Sequence, residues 1–106
     1  MKTRTVAIFF LMFTFAGVAA AQDAAAGKTI FTSKCALCHG ADGKAQTPMG
    51  KTLKIADFHS PDVQNKSDAE LKGIITNGKN KMPAFKGKLT DAQAGDVVAY
   101  IRELGK

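Results

Sequence analysis

Apolar side chains fall at helical intervals in three stretches of the chain. In the first, Gly27, Phe31 and Cys35 recur every four residues and share one face. Asp23 stands before it as the cap of a helix through Ala24, Ala25, Ala26 and Lys28. In the second, Leu71, Ile74 and Ile75 form the apolar face. Ser67 opens that helix, Glu70 completes a capping box, and Asn77-Gly78 supplies the stop. In the third, Ala94, Val97, Val98, Ile101 and Leu104 keep the helical period between a Thr90/Gln93 box and a terminal Gly105.

The connections between these helices are long. Residues 40–48 are turn-forming (Gly-Ala-Asp-Gly-Lys-Ala-Gln-Thr-Pro), and 79–89, with Pro83 and Gly87, reads as an irregular strap. No segment alternates as a strand, and no repeats or low-complexity tracts occur. The expected fold is all-α, with three main helices. Loops of this length in a small domain need something inside to hold them.

The 106 residues allow one domain. The first 21 read differently from the rest: Lys2 and Arg4 form a basic start, residues 6–16 are almost unbroken apolar sequence, and Ala19-Ala20-Ala21 follows. That order predicts a secretory signal peptide over 1–21 and a mature domain over 22–106. A transmembrane anchor takes about 20 apolar residues, a length reached here only by counting Gly17 and the small alanines. No cysteine stands near the cleavage site to carry a lipid. An exported protein follows, in the periplasm or an equivalent compartment, with no stable membrane span after cleavage.

Fifteen Lys and Arg oppose nine Asp and Glu; the leader removes two of the bases and no acid, leaving a net charge of +4. So modest a surplus, on an exported chain, argues against nucleic-acid binding. The mature chain holds four aromatics (Phe31, Phe58, Phe85, Tyr100) and no Trp, a small core of the kind that recruits a metal, disulfides or a cofactor.

Both cysteines lie in Cys35-Ala36-Leu37-Cys38-His39. A disulfide there closes a very short loop and gains little chain-entropy stabilisation. A thioredoxin-like redox pair needs a preceding strand and a βαβ setting, which the pattern lacks. Beyond the two thiols zinc needs two more Cys or His ligands, and outside the motif only His59 remains. Cys-x-x-Cys-His is also the attachment sequence of c-type haem. Two thiols reach two vinyl groups on one side of the macrocycle, and the adjacent His39 offers its imidazole to the iron. One covalent haem c on Cys35 and Cys38 is therefore expected.

The second axial position has three candidates. Met82 lies in the lysine-rich strap, far enough along the chain to reach the other face, and Pro83 holds it extended. Met49 follows too soon after His39, and His59 sits in a surface turn. Met82 is the expected ligand. A Met/His pair raises the haem potential and a saturated iron suits electron transfer, whereas an open position would suit a haem enzyme or a gas-binding sensor.

At this point the chain resembles the class I c-type cytochromes over nearly all of residues 24–104. Gly27 and Phe31 ahead of the attachment sequence carry the likeness, with Lys51-Thr52-Leu53-Lys54, Asn77-Gly78-Lys79, Met82-Pro83-Ala84-Phe85 and Ala99-Tyr100-Ile101. The second half is most similar to small soluble carriers of photosynthetic chains. The resemblance implies a small cytochrome c fold wrapped round one haem. It also implies a crossing of first and last helices, with Gly27 and Phe31 against Val97, Tyr100 or Ile101. A loop proline, here Pro48, would accept a hydrogen bond from the ligand imidazole.

The reading is thus a monomeric one-electron carrier, not an enzyme, with no catalytic residues. Lys79, Lys81, Lys86 and Lys88 on the strap and Lys44, Lys51 and Lys54 on the proximal loop suit redox partners with acidic docking surfaces. Mass spectrometry of the exported protein is expected to give a chain starting at Gln22 or Asp23. A mature chain that retains Met1 would contradict the leader.

Overall fold

The computed structural model describes residues 22–106, together with the isolated positions 3, 7 and 8. The leader expected over 1–21 otherwise lies outside the described residues. No described helix is long and apolar enough to cross a membrane.

Each of the three long helices begins at the cap the sequence provides. Asp23 Oδ1 accepts from the Ala25 and Ala26 amides at 2.9 and 3.2 Å and opens α1 (Ala24–Lys34). The next two elements are single turns, α2 (Ala36–His39) and α3 (Pro48–Thr52), followed by a third, α4 (Pro61–Gln64). Ser67 accepts from the Glu70 amide at 3.1 Å to start α5 (Asp68–Asn77), with no return bond from the Glu70 side chain among the described residues. Half of that expected capping box is therefore present. Thr90 and Gln93 make the full box, at 3.1 and 2.9 Å, ahead of α6 (Asp91–Leu104). The described residues contain no strand, only two isolated bridges inside the strap.

The turns α3 and α4 were not expected from periodicity, and both start the same way. Thr47-Pro48 and Ser60-Pro61 each put a hydroxyl residue at the cap and a proline at the first helical position. There proline's missing N–H costs nothing and its fixed φ is already helical. A single turn is too short to show a hydrophobic period, so only the cap signal marks it.

The core lies where α1 and α5 pack against α6. Phe31, Phe58, Leu71, Ile75, Ala94, Val97, Val98 and Ile101 are buried there. The crossing of α1 over α6 is close because Gly27 has no side chain. A Cβ at Gly27 would be driven into the Asp96 carbonyl and would stand 3.0 Å from the Val97 amide. One turn further, the Phe31 and Tyr100 rings meet edge-on with centroids 5.4 Å apart. The crossing implied by the family resemblance is thus found, on the residues that suggested it.

The strap is tied back onto α5. The Phe85 and Lys86 amides donate to the carbonyls of Ile75 and Thr76, each at 3.0 Å. These carbonyls belong to the last turn of α5, where an α-helix has no partner of its own to offer. Gly27→Leu is expected to overpack the crossing by about 3 kcal/mol and lower Tm by on the order of 10 °C. Thermal unfolding checks it; an unchanged Tm would misplace the crossing.

Candidate functional site

The first helix ends at Cys35, at φ −117° and ψ −29° still in the right-handed region, and α2 follows directly from it. Cys35 caps α1 by donating its amide to the Phe31 carbonyl at 2.9 Å, and its own carbonyl then accepts from the His39 amide at 3.0 Å. α2 is held from below by α3. Thr47 Oγ1 donates to the Cys38 carbonyl at 2.9 Å and accepts from the Gly50 amide at 2.9 Å. Gly50 must be small, because a Cβ there would collide with the carbonyls of Ala45 and Cys38.

Cys35, Cys38 and His39 open onto a cavity of about 510 Å³. Its walls are apolar: Leu53 and Ile55 after α3, Val63 from α4, Leu71 and Ile75 from α5, Val97 and Ile101 from α6. Met82 and Phe85 of the strap also line it. The strap turns at Asn80, which has a left-handed φ of 53°. Lys79 and Met82 exchange amide-to-carbonyl hydrogen bonds across that turn at 2.9 and 3.2 Å.

All four residues singled out from the sequence therefore line one cavity, although Met82 comes from a distant segment. Met49 and His59 are outside it. Met49 is 47% exposed. His59 lies at the surface with its Nδ1 2.6 Å from the Asp57 carboxylate. That contact and the His59 amide hold the Asp57 carboxyl below its usual pKa.

The two sulfurs of Cys35 and Cys38 are not bonded to each other. Burial pushes the Cys35 thiol up to about 11, against a smaller lowering by Lys34. Redox-active pairs work the other way, with a thiol lowered to 7 or below. The raised Cys35 thiol is thus opposite in direction to the activated thiol of an exchanger.

His39 is half-buried, and burial holds its imidazole below the ordinary pKa of 6.5, so the ring is neutral at pH 7. A neutral imidazole has the free lone pair that a metal needs. Its Nδ1 is buried and has no hydrogen-bond partner among the described residues. The bond to Pro48 implied by the family resemblance is not made. Pro48 is the first residue of α3, so its carbonyl points along that turn and accepts from Thr52 Oγ1 at 2.9 Å. The ring instead lies on Phe58, with centroids 4.7 Å apart and planes at 27°.

The cavity, its apolar walls, paired thiols, neutral imidazole and thioether fit a flat metallo-macrocycle attached through sulfur. Charge is confined to the rim. Lys34, Lys54, Lys66, Lys79 and Lys81 reach the lining, and Asp62 is the one acid among the lining residues. Lys34 and Lys66 were missed from sequence because they belong to α1 and to the turn after α4. Lys44, Lys51, Lys86 and Lys88, expected near the site, lie outside the lining. Phe58 was counted as a core aromatic, and nothing local in the sequence marks its contact with His39.

Comparison with known proteins agrees with this geometry. A family described as cytochrome C oxidase, cbb3-type, subunit III matches residues 22–101. A cytochrome c6 of Nostoc sp. is 43% identical over 99 residues, covering 93% of this chain and 85% of that protein. A cytochrome c6 of Rippkaea orientalis is also 43% identical, over 92% of this chain and 90% of its own. Among solved structures, the KustC0563 c-type cytochrome superposes with a TM-score of 0.69 at 30% identity, covering 76% of this chain and 98% of its own.

Proposed function

The chain belongs to the class I c-type cytochromes, and from that premise we propose that it is a one-electron carrier whose iron is ligated by His39 and Met82. It carries one covalently bound haem c. In this reading Cys35 and Cys38 would attach it, each thiol adding across one vinyl group to give a thioether. The observation that carries the reading is the convergence of Cys35, Cys38, His39 and Met82 on one apolar-walled cavity.

When bound, the haem supplies the Fe(III)/Fe(II) couple. The chain does the rest. Neutral His39 offers a lone pair without first losing a proton. Met82 offers a soft thioether, and a His/Met pair raises the potential of a cytochrome iron. With His39 and Met82 both holding the iron, no substrate would need to bind at the metal, and the chemistry supplied would be electron transfer alone. Leu53, Ile55, Val63 and Ile101 keep water from the site and so favour the less charged, reduced state.

The basic rim supports partners with acidic docking surfaces. Five lysines against one aspartate put a positive field at the cavity mouth, which speeds encounter with a negative surface. The leader expected over 1–21 puts this exchange in the periplasm or an equivalent exported compartment, after cleavage near Gln22.

Met82→Ala is expected to open the sixth position. The reduced variant should then bind carbon monoxide, and its midpoint potential should fall by on the order of 0.1 V, within the range of about 0.8 V that axial ligands span. A variant that keeps the wild-type potential and refuses carbon monoxide would remove Met82 from the iron. The rate of electron transfer to an acidic redox protein is expected to fall several-fold as added salt shortens the Debye length from about 30 Å to about 8 Å. A salt-independent rate, measured by stopped flow, would remove the lysines from docking.

A further inference from the structure

Among the described residues, His39 Nδ1 does not make the hydrogen bond that commonly orients a metal-bound imidazole. Such a bond fixes the tautomer and the ring plane and strengthens the ligand as a donor. Nδ1 has no partner among the described residues, and the Pro48 carbonyl accepts instead from Thr52 Oγ1 at 2.9 Å. Two aromatic rings surround the imidazole instead. Phe58 stacks on it at 4.7 Å, and Phe31 stands 6.4 Å away at 40°.

Phe58 is held from several sides. It is 6% exposed and meets Phe31 edge-on at 5.9 Å. Its amide donates to the Gly43 carbonyl at 2.9 Å, and a Cβ on Gly43 would stand 2.6 Å from its ring. Its carbonyl accepts from Gln64 Nε2. That amide is itself oriented by Arg102 of α6, whose Nη1 donates to Gln64 Oε1 at 3.3 Å and to the Gln64 carbonyl at 3.2 Å. With Oε1 facing the guanidinium, Nε2 must face the other way, toward Phe58. The remaining guanidinium donors anchor the fork: Nε to Asp68 at 2.9 Å, and Nη2 to the Lys66 carbonyl.

We propose that Phe58 sets the orientation of the His39 imidazole by stacking, and that Arg102 positions Phe58 through Gln64. This rests on the reading of His39 as an iron ligand. A stacked aromatic pair contributes about 0.5–1.5 kcal/mol beyond its burial and has a preferred geometry, so it restrains the plane of the ring. It does so without drawing the proton from Nδ1. Arg102 acts at a distance from the site: its Nη1 holds both oxygens of Gln64, while Nε and Nη2, bound to Asp68 and the Lys66 carbonyl, fix the plane of the guanidinium. A lysine would keep the charge and lose that geometry.

In an oxidised low-spin haem, the planes of the axial ligands decide how unpaired spin is shared among the pyrroles, and the four haem methyl proton resonances report it. In the holoprotein, Phe58→Leu and Arg102→Lys are both expected to redistribute those four resonances. Val98→Ala, which removes core volume from α6 away from the cavity lining, is expected to keep their wild-type order. If Phe58→Leu yields no folded haem protein, Arg102→Lys decides alone. An unchanged methyl pattern in the stacking and fork variants, or an equal change in Val98→Ala, would overturn the proposal. A ¹⁵N-histidine-labelled His59→Gln protein separates this from the ligand assignment, because the chain has two histidines and His39 is then the one left. Ring signals of His39 at diamagnetic positions would remove it from the iron and end both claims. Hyperfine-shifted His39 signals with unmoved methyls would end the role of Phe58 alone.

Discussion

The contact on which the rest depends is the crossing of α1 and α6 at Gly27. With no Cβ there, the two backbones approach until α1 lies against the Asp96–Val97 peptide. That approach fixes the direction in which α1 delivers Cys35, and hence the place where α2 carries His39 into the cavity. It also fixes α6, which lends Val97 and Ile101 to the cavity wall and Tyr100 to Phe31. Any side chain at Gly27 would move the attachment sequence and the opposite wall relative to each other.

The other half of the site hangs from α5. The strap that carries Met82 is joined to the end of α5 by two amides of Phe85 and Lys86 and is folded on itself between Lys79 and Met82. Each such bond contributes about 1 kcal/mol net. The strap is therefore lightly held by the protein alone, and the proposed bond from Met82 to iron would add to the same closure. This matters in a small protein, since domains of this size have marginal cores and gain stability from a bound cofactor. The long connections that look unsupported in sequence are the walls and lid of the cavity.

Most of the fold was legible because it is written in local signals. Asp23, Ser67 and Thr90 each start the helix they appear to start, and the apolar faces of α5 and α6 are the buried ones. Thr47-Pro48 and Ser60-Pro61 used the same chemistry in turns too short to have a period. The proposed attachment residues stand out in sequence because Cys-x-x-Cys-His is a spacing that suits a macrocycle rather than a helix face. What could not be read were contacts set by packing between remote segments. Lys34 and Lys66 at the rim, the stack of Phe58 on His39, and the Arg102 fork across Gln64, Lys66 and Asp68 leave no mark on neighbouring sequence. The Pro48 expectation failed for a local reason, because that proline starts a helical turn and its carbonyl is directed along it.

The central claim is that one iron, ligated by His39 and Met82, cycles between two oxidation states without binding anything else. A spectroelectrochemical titration of the purified holoprotein tests it most directly. The account predicts a single one-electron wave, with a sulfur-to-iron charge-transfer band present in the oxidised protein that disappears in step with reduction. Haem that shows no such band when oxidised, and that binds carbon monoxide when reduced, would contradict it.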